Sequence, residues 1–309
     1  MPTPLKNFPH PDPLPEGEGK PGCAKSPAYG RVWQCGSHRL PIGQRTLIMG
    51  VINVTPDSFS DGGMFPDTGA AIAHGHRLVE EGADLLDIGG ESSRPGAQPV
   101  PESAEKDRVV PVIEGLKDCG VPISVDTWKA GAADAACSAG ADIINDITAL
   151  RGDPDMARIA ANHGAGLVLM HMRGTPATMQ SMTDYPDLIG EVYAFLEDAV
   201  ALAVRTGVQR EAIAVDPGIG FGKTPEQNIE LLRHLQHFRG LECPILVGTS
   251  RKSFLGHFTG RPVNERVSAT AGSVACAIAH GADIVRVHDV GAMCDVVRIA
   301  DVIERSTTG

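Results

Sequence analysis

Four times in this chain a segment with helical spacing runs into Gly-Ala and then into an apolar run. Gly82-Ala83-Asp84 precedes LLDIGG, Gly140-Ala141-Asp142 precedes IINDI, Gly164-Ala165-Gly166 precedes LVLMHM, and Gly281-Ala282-Asp283 precedes IVRVHD. A glycine in the left-handed conformation stops a helix, and the residues after it start a strand. Three more apolar runs, VPISVDT (121–127), AIAVDPG (212–218) and PILVGTS (244–250), carry no such signal, and Leu47 to Ile52 opens the series. Helical spacing predicts segments at Ala70–Glu81, Ala104–Asp118, Lys129–Ala139, Asp187–Thr206, Gln227–Gln236 and Val263–Ala279. Eight strand–helix units in 309 residues predict a single α/β domain, a (β/α)₈ barrel. A doubly wound sheet is the alternative; eight evenly used strands favour the barrel.

The rest of the chain fits this frame. Residues 1–27 are Pro- and Gly-rich without periodicity and read as a mobile tail, which leaves 28–309 for the barrel. Val32 to Leu47 reads as a lead-in hairpin with Pro41-Ile42-Gly43 as its turn. A net charge of −11 argues against a general nucleic-acid binder, so an anionic ligand would need a local positive field. Seven scattered cysteines without CxxC indicate neither a zinc site nor a disulfide framework, and suit a reducing cytoplasm. No apolar run reaches membrane-spanning length, and no signal peptide is read.

Every strand ends in polar residues: Asn53; Asp87, with Glu91 to Arg94 beyond it; Asp126; Asn145 and Asp146; His171; Asp216; Ser250, Arg251 and Lys252; Arg286, His288 and Asp289. Any one of them is ordinarily a turn former or a helix cap. Eight together ring one rim of a barrel, and such a ring is costly to desolvate without a ligand. The residue types also divide by task. Asp126, Asn145 and Asp216 can accept hydrogen bonds from a flat, N–H-rich heterocycle, and Lys252 can donate to its carbonyl. Arg94, Arg286 and His288 suit phosphate oxygens. Beyond Asn53 the first strand exits into a polar loop, Thr55 to Gly63, with one isolated aromatic, Phe59; its composition alone suits an ordinary surface loop, and a mobile lid is what the family resemblance given below implies for it.

Other signals fail. A P-loop around Gly222-Lys223-Thr224 needs glycine at 217, where Pro217 stands. Phe221 in that loop suits a ring wall and simple packing about equally. His171 has no second ligand at metal spacing and reads as packed. No serine sits in G-x-S-x-G, which disfavours a hydrolase.

The stretches MGVINVTPDSFSDGG, DIGGESSRPGA, SVDT, IINDI, LMHM, VDPGIGFGK, GTSRKS and VRVHDV together resemble the dihydropteroate synthases of folate biosynthesis, from about Thr46 to Ile303. The resemblance implies a (β/α)₈ barrel in a cytoplasmic homodimer that is a sulfonamide target. It implies a transferase that joins 6-hydroxymethyl-7,8-dihydropterin pyrophosphate to p-aminobenzoate with Mg²⁺. It implies that Asp126, Asn145, Met170, Asp216 and Lys252 hold the pterin. Asn53, Arg94, Arg286 and His288 would take the pyrophosphate, with Asn53 also at the metal. Phe59, Ser93, Pro95, Phe221 and Ser250 would line the p-aminobenzoate slot. Asp126, Lys252 and Arg94 would be the catalytic set. The family often has Thr where Ser93 stands, so the hydroxyl is kept and a methyl is lost from that slot. Two rivals share the pterin-holding positions: a methyltransferase barrel acting on methyltetrahydrofolate, and a catalytically silent pterin binder. The first has no use for a phosphate-binding strand end, and the second has no use for Asn53, Arg94, Lys252 and His288 together.

Overall fold

The computed structural model describes residues 31–55, 67–94 and 96–305. Residues 1–27, read above as a tail, lie outside them. Eight parallel strands run in the spatial order β8-β7-β6-β5-β4-β3-β10-β9. They are β3 (Leu47–Asn53), β4 (Leu85–Gly89), β5 (Ile123–Asp126), β6 (Ile143–Asp146), β7 (Gly166–Met170), β8 (Ile213–Asp216), β9 (Leu246–Val247) and β10 (Ile284–Val287). A parallel bridge between Val215 and Ile245 joins the two ends, and the Val215 N–H donates to the Pro244 carbonyl at 2.9 Å. The sheet is thus a barrel, as the eight runs predicted.

Nine helices among the described residues surround it: α1 (Thr68–Glu80), α2 (Glu102–Leu116), α3 (Ala130–Ala139), α4 (Met156–His163), α5 (Leu188–Arg205), α6 (Pro225–Arg233), α7 (Ser253–Thr259), α8 (Val267–Ala279) and α9 (Val290–Arg305). The segment predicted from Val263 starts as a separate 3₁₀ turn, Val263–Glu265, and the α-helix begins only at Val267. The other predicted helices lie within a few residues of their expected bounds. The outward strand residues, such as Ile48, Leu86, Ile144, Leu169 and Val285, form one continuous apolar core with the helices.

The Gly-Ala-Asp repeat has a second physical use. Its glycines take positive φ (+104°, +121°, +60° and +107° at Gly82, Gly140, Gly164 and Gly281) and end the helices as expected. Its aspartates accept an N–H at the start of the preceding strand in the sheet. Asp84 takes Ile48 N–H at 2.9 Å, Asp142 takes Ile123 N–H at 3.1 Å, and Asp283 takes Ile245 N–H at 3.0 Å. The variant repeat has Gly166 in that place because a Cβ there would come within 3.0 Å of the Cys35 sulfur.

Cys35 belongs to a hairpin, β1 (Arg31–Cys35) and β2 (His38–Ile42), that plugs the amino-terminal end of the barrel. Trp33, Cys35 and Ile42 pack against Leu47, Met49, Leu85, Ile143, Val168, Ala214, Leu246 and Ile284. Trp33 donates its indole N–H to the Ala212 carbonyl at 2.9 Å. The turn is not at Pro41-Ile42-Gly43, as expected, but at Gly36-Ser37. Gly36 supplies the left-handed residue (φ +54°), while Ile42 pairs with Arg31 and is buried in the plug.

Candidate active site

Side chains alternate along a strand, so residues i and i+2 share a face. Two residues above the plug the inward-facing positions turn polar. Asp87 lies above Leu85, Asn145 above Ile143, Asp216 above Ala214, Arg286 above Ile284 and Asp126 above Ser124. Met170, above Val168, is the apolar member. The polar residues that interrupt the apolar runs are therefore one ring, at the carboxyl ends of the strands, where barrel enzymes do their chemistry.

The ring is held by one network. Arg286 donates from Nε to Asp87 at 2.6 Å and from Nη2 to Asp126 at 2.8 Å. Asp87, fully buried, also accepts Ser124 Oγ–H at 2.6 Å and Asn145 Nδ2–H at 3.1 Å. Burial is the main reason that the Asp126 carboxyl is pushed up to about 7. Arg286 opposes the rise, and Asp87, Glu105 and Asp146 add to it. Across the ring, Asp216 accepts the Gly218 N–H at 2.7 Å. Burial raises its pKa against the pull of Lys252. Burial likewise lowers Lys252 to about 8, opposed by Asp216. The Lys252 ammonium lies 4.6 Å over the Phe221 ring and donates to the Ile219 carbonyl. Met170 closes this side with Ile147, Met172 and Met179, and Trp128 and Phe221 pack on them.

The glycine-rich loop that carries Phe221 is built on Lys223, which is buried. Its ammonium donates to His171 Nδ1 at 2.9 Å and to the Gly218 and Phe221 carbonyls at 3.0 and 2.9 Å. Burial and Lys223 lower the His171 pKa to about 2, so His171 is the neutral, packed residue that its spacing suggested. Gly218 has φ +73°, and a Cβ there would fall 1.9 Å from the His171 carbonyl oxygen.

The groups expected at phosphate sit differently. Asn53 is half-buried at the tip of β3. Arg94 is exposed on the loop after β4. His288 is lowered to about 4, by burial and then by Arg286, and is a neutral ring at physiological pH. Ser250 Oγ accepts the His288 backbone N–H at 3.2 Å and lies 3.0 Å from its Nδ1. In the tautomer in which the serine hydroxyl donates to Nδ1, Nε2–H is left as a donor. Ser250 thus stands beside His288. Arg286 is turned toward the carboxylates, which take its Nε–H and one Nη2–H and leave three guanidinium N–H groups unspent. Ser93 lies near Asp126 in a small recess walled by Trp128, Ile147 and Pro176. Phe59 and Pro95 lie outside the described residues.

Three contributions were missed from sequence. Asp87 was collected among the strand ends without a role, although its two-residue offset from Leu85 matches that of the other ring members. Lys129 bridges Glu91 and the buried Glu105 and so ties down the loop bearing Ser93 and Arg94. Lys223 drew notice only as a failed P-loop; no local pattern marks a lysine that will be buried.

The model for "pterin binding enzyme" matches residues 49–288. The dihydropteroate synthase of Synechocystis is 49% identical over 275 residues, 86% of this chain and 95% of that protein. The chain belongs to the dihydropteroate synthase family. Two solved members share its fold. The Xanthomonas albilineans enzyme with 4-aminobenzoic acid has a TM-score of 0.83 at 42% identity, over 89% of this chain and 99% of that one. The Burkholderia cenocepacia enzyme complexed with 7,8-dihydropteroate has a TM-score of 0.80 at 41% identity, over 89% and 97%.

Proposed function

We propose that the chain condenses 6-hydroxymethyl-7,8-dihydropterin pyrophosphate with p-aminobenzoate to give 7,8-dihydropteroate and pyrophosphate. The observation that carries this reading is the inward ring, whose Asp126, Asn145 and Asp216 gather with Lys252 at the top of the barrel. Asp126, Asn145 and Asp216 accept from the pterin N–H groups, and Lys252 donates to its carbonyl, with Met170 beneath the ring. The C–O bond between the pterin methylene and pyrophosphate breaks, and its electron pair leaves with pyrophosphate. The methylene cation is delocalised into the pterin, and the Asp126 carboxylate stabilises it. The arylamine lone pair then forms the C–N bond, and its proton goes to solvent. An arylamine is neutral near pH 7, so no strong general base is required. Arg94 and the Nε2–H of His288 stabilise the leaving oxygens. Phe221 and Ser93 wall the aryl ring.

Mg²⁺ is part of this reading. Among the described residues no three acid, His or Cys side chains form a metal cage. Mg²⁺ is typically held by one or two protein groups together with substrate phosphates and water. The neutral oxygen of Asn53 fits an ion that arrives with the pyrophosphate. When bound, the ion would neutralise charge on the leaving group. A cytoplasmic homodimer completes the proposal. The six described cysteines are unpaired, and no helix among the described residues is long and apolar enough to cross a membrane. Ile299, Val302 and Ile303 expose apolar surface on α9 that a second copy can cover.

A pyrophosphate-release assay with both substrates and Mg²⁺ tests the reading. Release that requires p-aminobenzoate is expected. No release would overturn the synthase in favour of a silent binder, and release that is the same without p-aminobenzoate would overturn it in favour of hydrolysis of the pterin pyrophosphate.

A further inference from the structure

A cavity of about 510 Å³ opens beside the ring, between the loops after β5, β6 and β7 and the start of α5. None of the strand-tip residues assigned above to pterin or phosphate lines it. Its walls are Trp128, Met172 and Phe195, and its charges are Arg151, Arg173 and Glu191. Arg173 is answered: it pairs with Glu191, donates to the Asp184 carbonyl and stacks 3.9 Å over Tyr185. Arg151 is not. It is exposed at the mouth of the cavity, its guanidinium carbon 3.8 Å over the Phe195 ring, and it has no acid or carbonyl side-chain partner among the described residues. The cavity therefore keeps one positive charge, held on an aromatic face, in a chain of net charge −11.

The turn that delivers Arg151 is unusual. Ala149 and Leu150 have φ of +49° and +69°, a region that residues with a side chain rarely adopt. The turn is held there by Asp146, fully buried, which accepts the Thr148 N–H and Oγ–H and the Leu150 N–H at 2.7–2.8 Å. A plain connection needs neither two strained residues nor a dedicated buried carboxylate. Such outliers gather where a side chain must be presented to a ligand.

We propose that this cavity is a second ligand site, for an aromatic carboxylate. The carboxylate pairs with the guanidinium fork of Arg151, which is geometrically suited to it, and the ring lies against Trp128 and Met172. The volume is in the range of small-molecule sites and admits one aromatic ring or a larger aryl carboxylate. Trp128 and Met172 also pack on the apolar cluster around Met170, so an occupant touches the wall of the pterin site from behind.

The test is binding stoichiometry on the full chain, which does not depend on turnover. Calorimetry with 7,8-dihydropteroate, followed by p-aminobenzoate added to the product-saturated protein, separates the two sources of aryl carboxylate. One aryl carboxylate beyond the single equivalent that fills the active site is expected, from either ligand. In Arg151→Met, which keeps the packing on Phe195, its affinity should fall at least about tenfold, the weight of one charge-assisted contact. Arg151→Lys should also weaken it, because the ammonium lacks the fork. kcat and KM at low substrate should be unchanged in both variants. A total of one equivalent in the wild type, or a second equivalent bound equally well by Arg151→Met, would overturn the proposal.

Discussion

The inner ring and the outer rim of this site are built in opposite ways. Asp87, Asp126, Asn145 and Arg286 lie inside the barrel, on strands, and are bonded to one another at 2.6–3.1 Å. Arg94 stands exposed on a loop, Asn53 is half-buried at a strand tip, and His288 is a neutral ring. Under the proposed assignment the difference follows from what each would bind. A flat heterocycle is recognised by direction, so its partners must be fixed before it arrives. Pyrophosphate is recognised by charge, and its partners can stay solvated until a ligand replaces the water. Removing a member of the ring should therefore damage the fold and the pterin site together, whereas removing a rim group should damage only catalysis.

Arg286→Met is the sharpest way to break the ring and should have the largest effect. It leaves Asp87 and Asp126 facing each other without a cation. Uncompensated buried charge of this kind destabilises by about 3–5 kcal/mol, which denaturant unfolding would register together with loss of pterin binding. Arg94→Ala, on the rim, should lower kcat/KM by about 10²-fold. Its unfolding free energy should stay within about 0.5 kcal/mol of wild type, as for exposed substitutions.

The pH profile sharpens the comparison from the titrating side. An ionised Asp126 accepts from the pterin and titrates at about 7, while the Lys252 ammonium loses its proton at about 8. kcat/KM for the pterin substrate should therefore rise as pH approaches 7 and fall above 8, a narrow bell. Lys252→Arg should remove the alkaline limb. Because the folded Asp126 pKa is raised from 3.8, the ligand-free fold binds the extra proton between about 4 and 7. Its contribution to stability must fall as pH rises through that window, and pterin should restore it. The smallest effect belongs to the far end of the barrel. Asp142→Ala removes the acceptor of the Ile123 N–H and should cost about 1–3 kcal/mol of stability with catalysis intact.

Much of this was legible before any coordinates. The left-handed glycines of the Gly-Ala repeat mark helix ends by local chemistry alone, and with the four apolar runs that lack the signal they count eight strands. The polar residues inside apolar runs, Asp126, Asn145, Asp216 and Arg286, marked the site because nothing else explains them on buried strands. What stayed hidden depends on contacts far apart in sequence. The hairpin turn was misplaced because Pro41-Ile42-Gly43 is good turn chemistry, yet Ile42 is drawn into the plug by Trp33, Leu47 and their neighbours. Asp87 was given no role and Arg286 was given to phosphate, and only their pairing across 199 positions shows that one fixes the other. Phe59 and Pro95 lie outside the described residues, so their assignment rests on resemblance.

The division between ring and rim is tested most directly by calorimetry with two ligands that differ only in charge, 6-hydroxymethyl-7,8-dihydropterin and its pyrophosphate. Arg94→Ala should lose affinity for the pyrophosphate and keep that for the alcohol. Asp216→Ala should lose both. Equal weakening of the two ligands by Arg94→Ala, or undiminished binding of the alcohol by Asp216→Ala, would contradict the account.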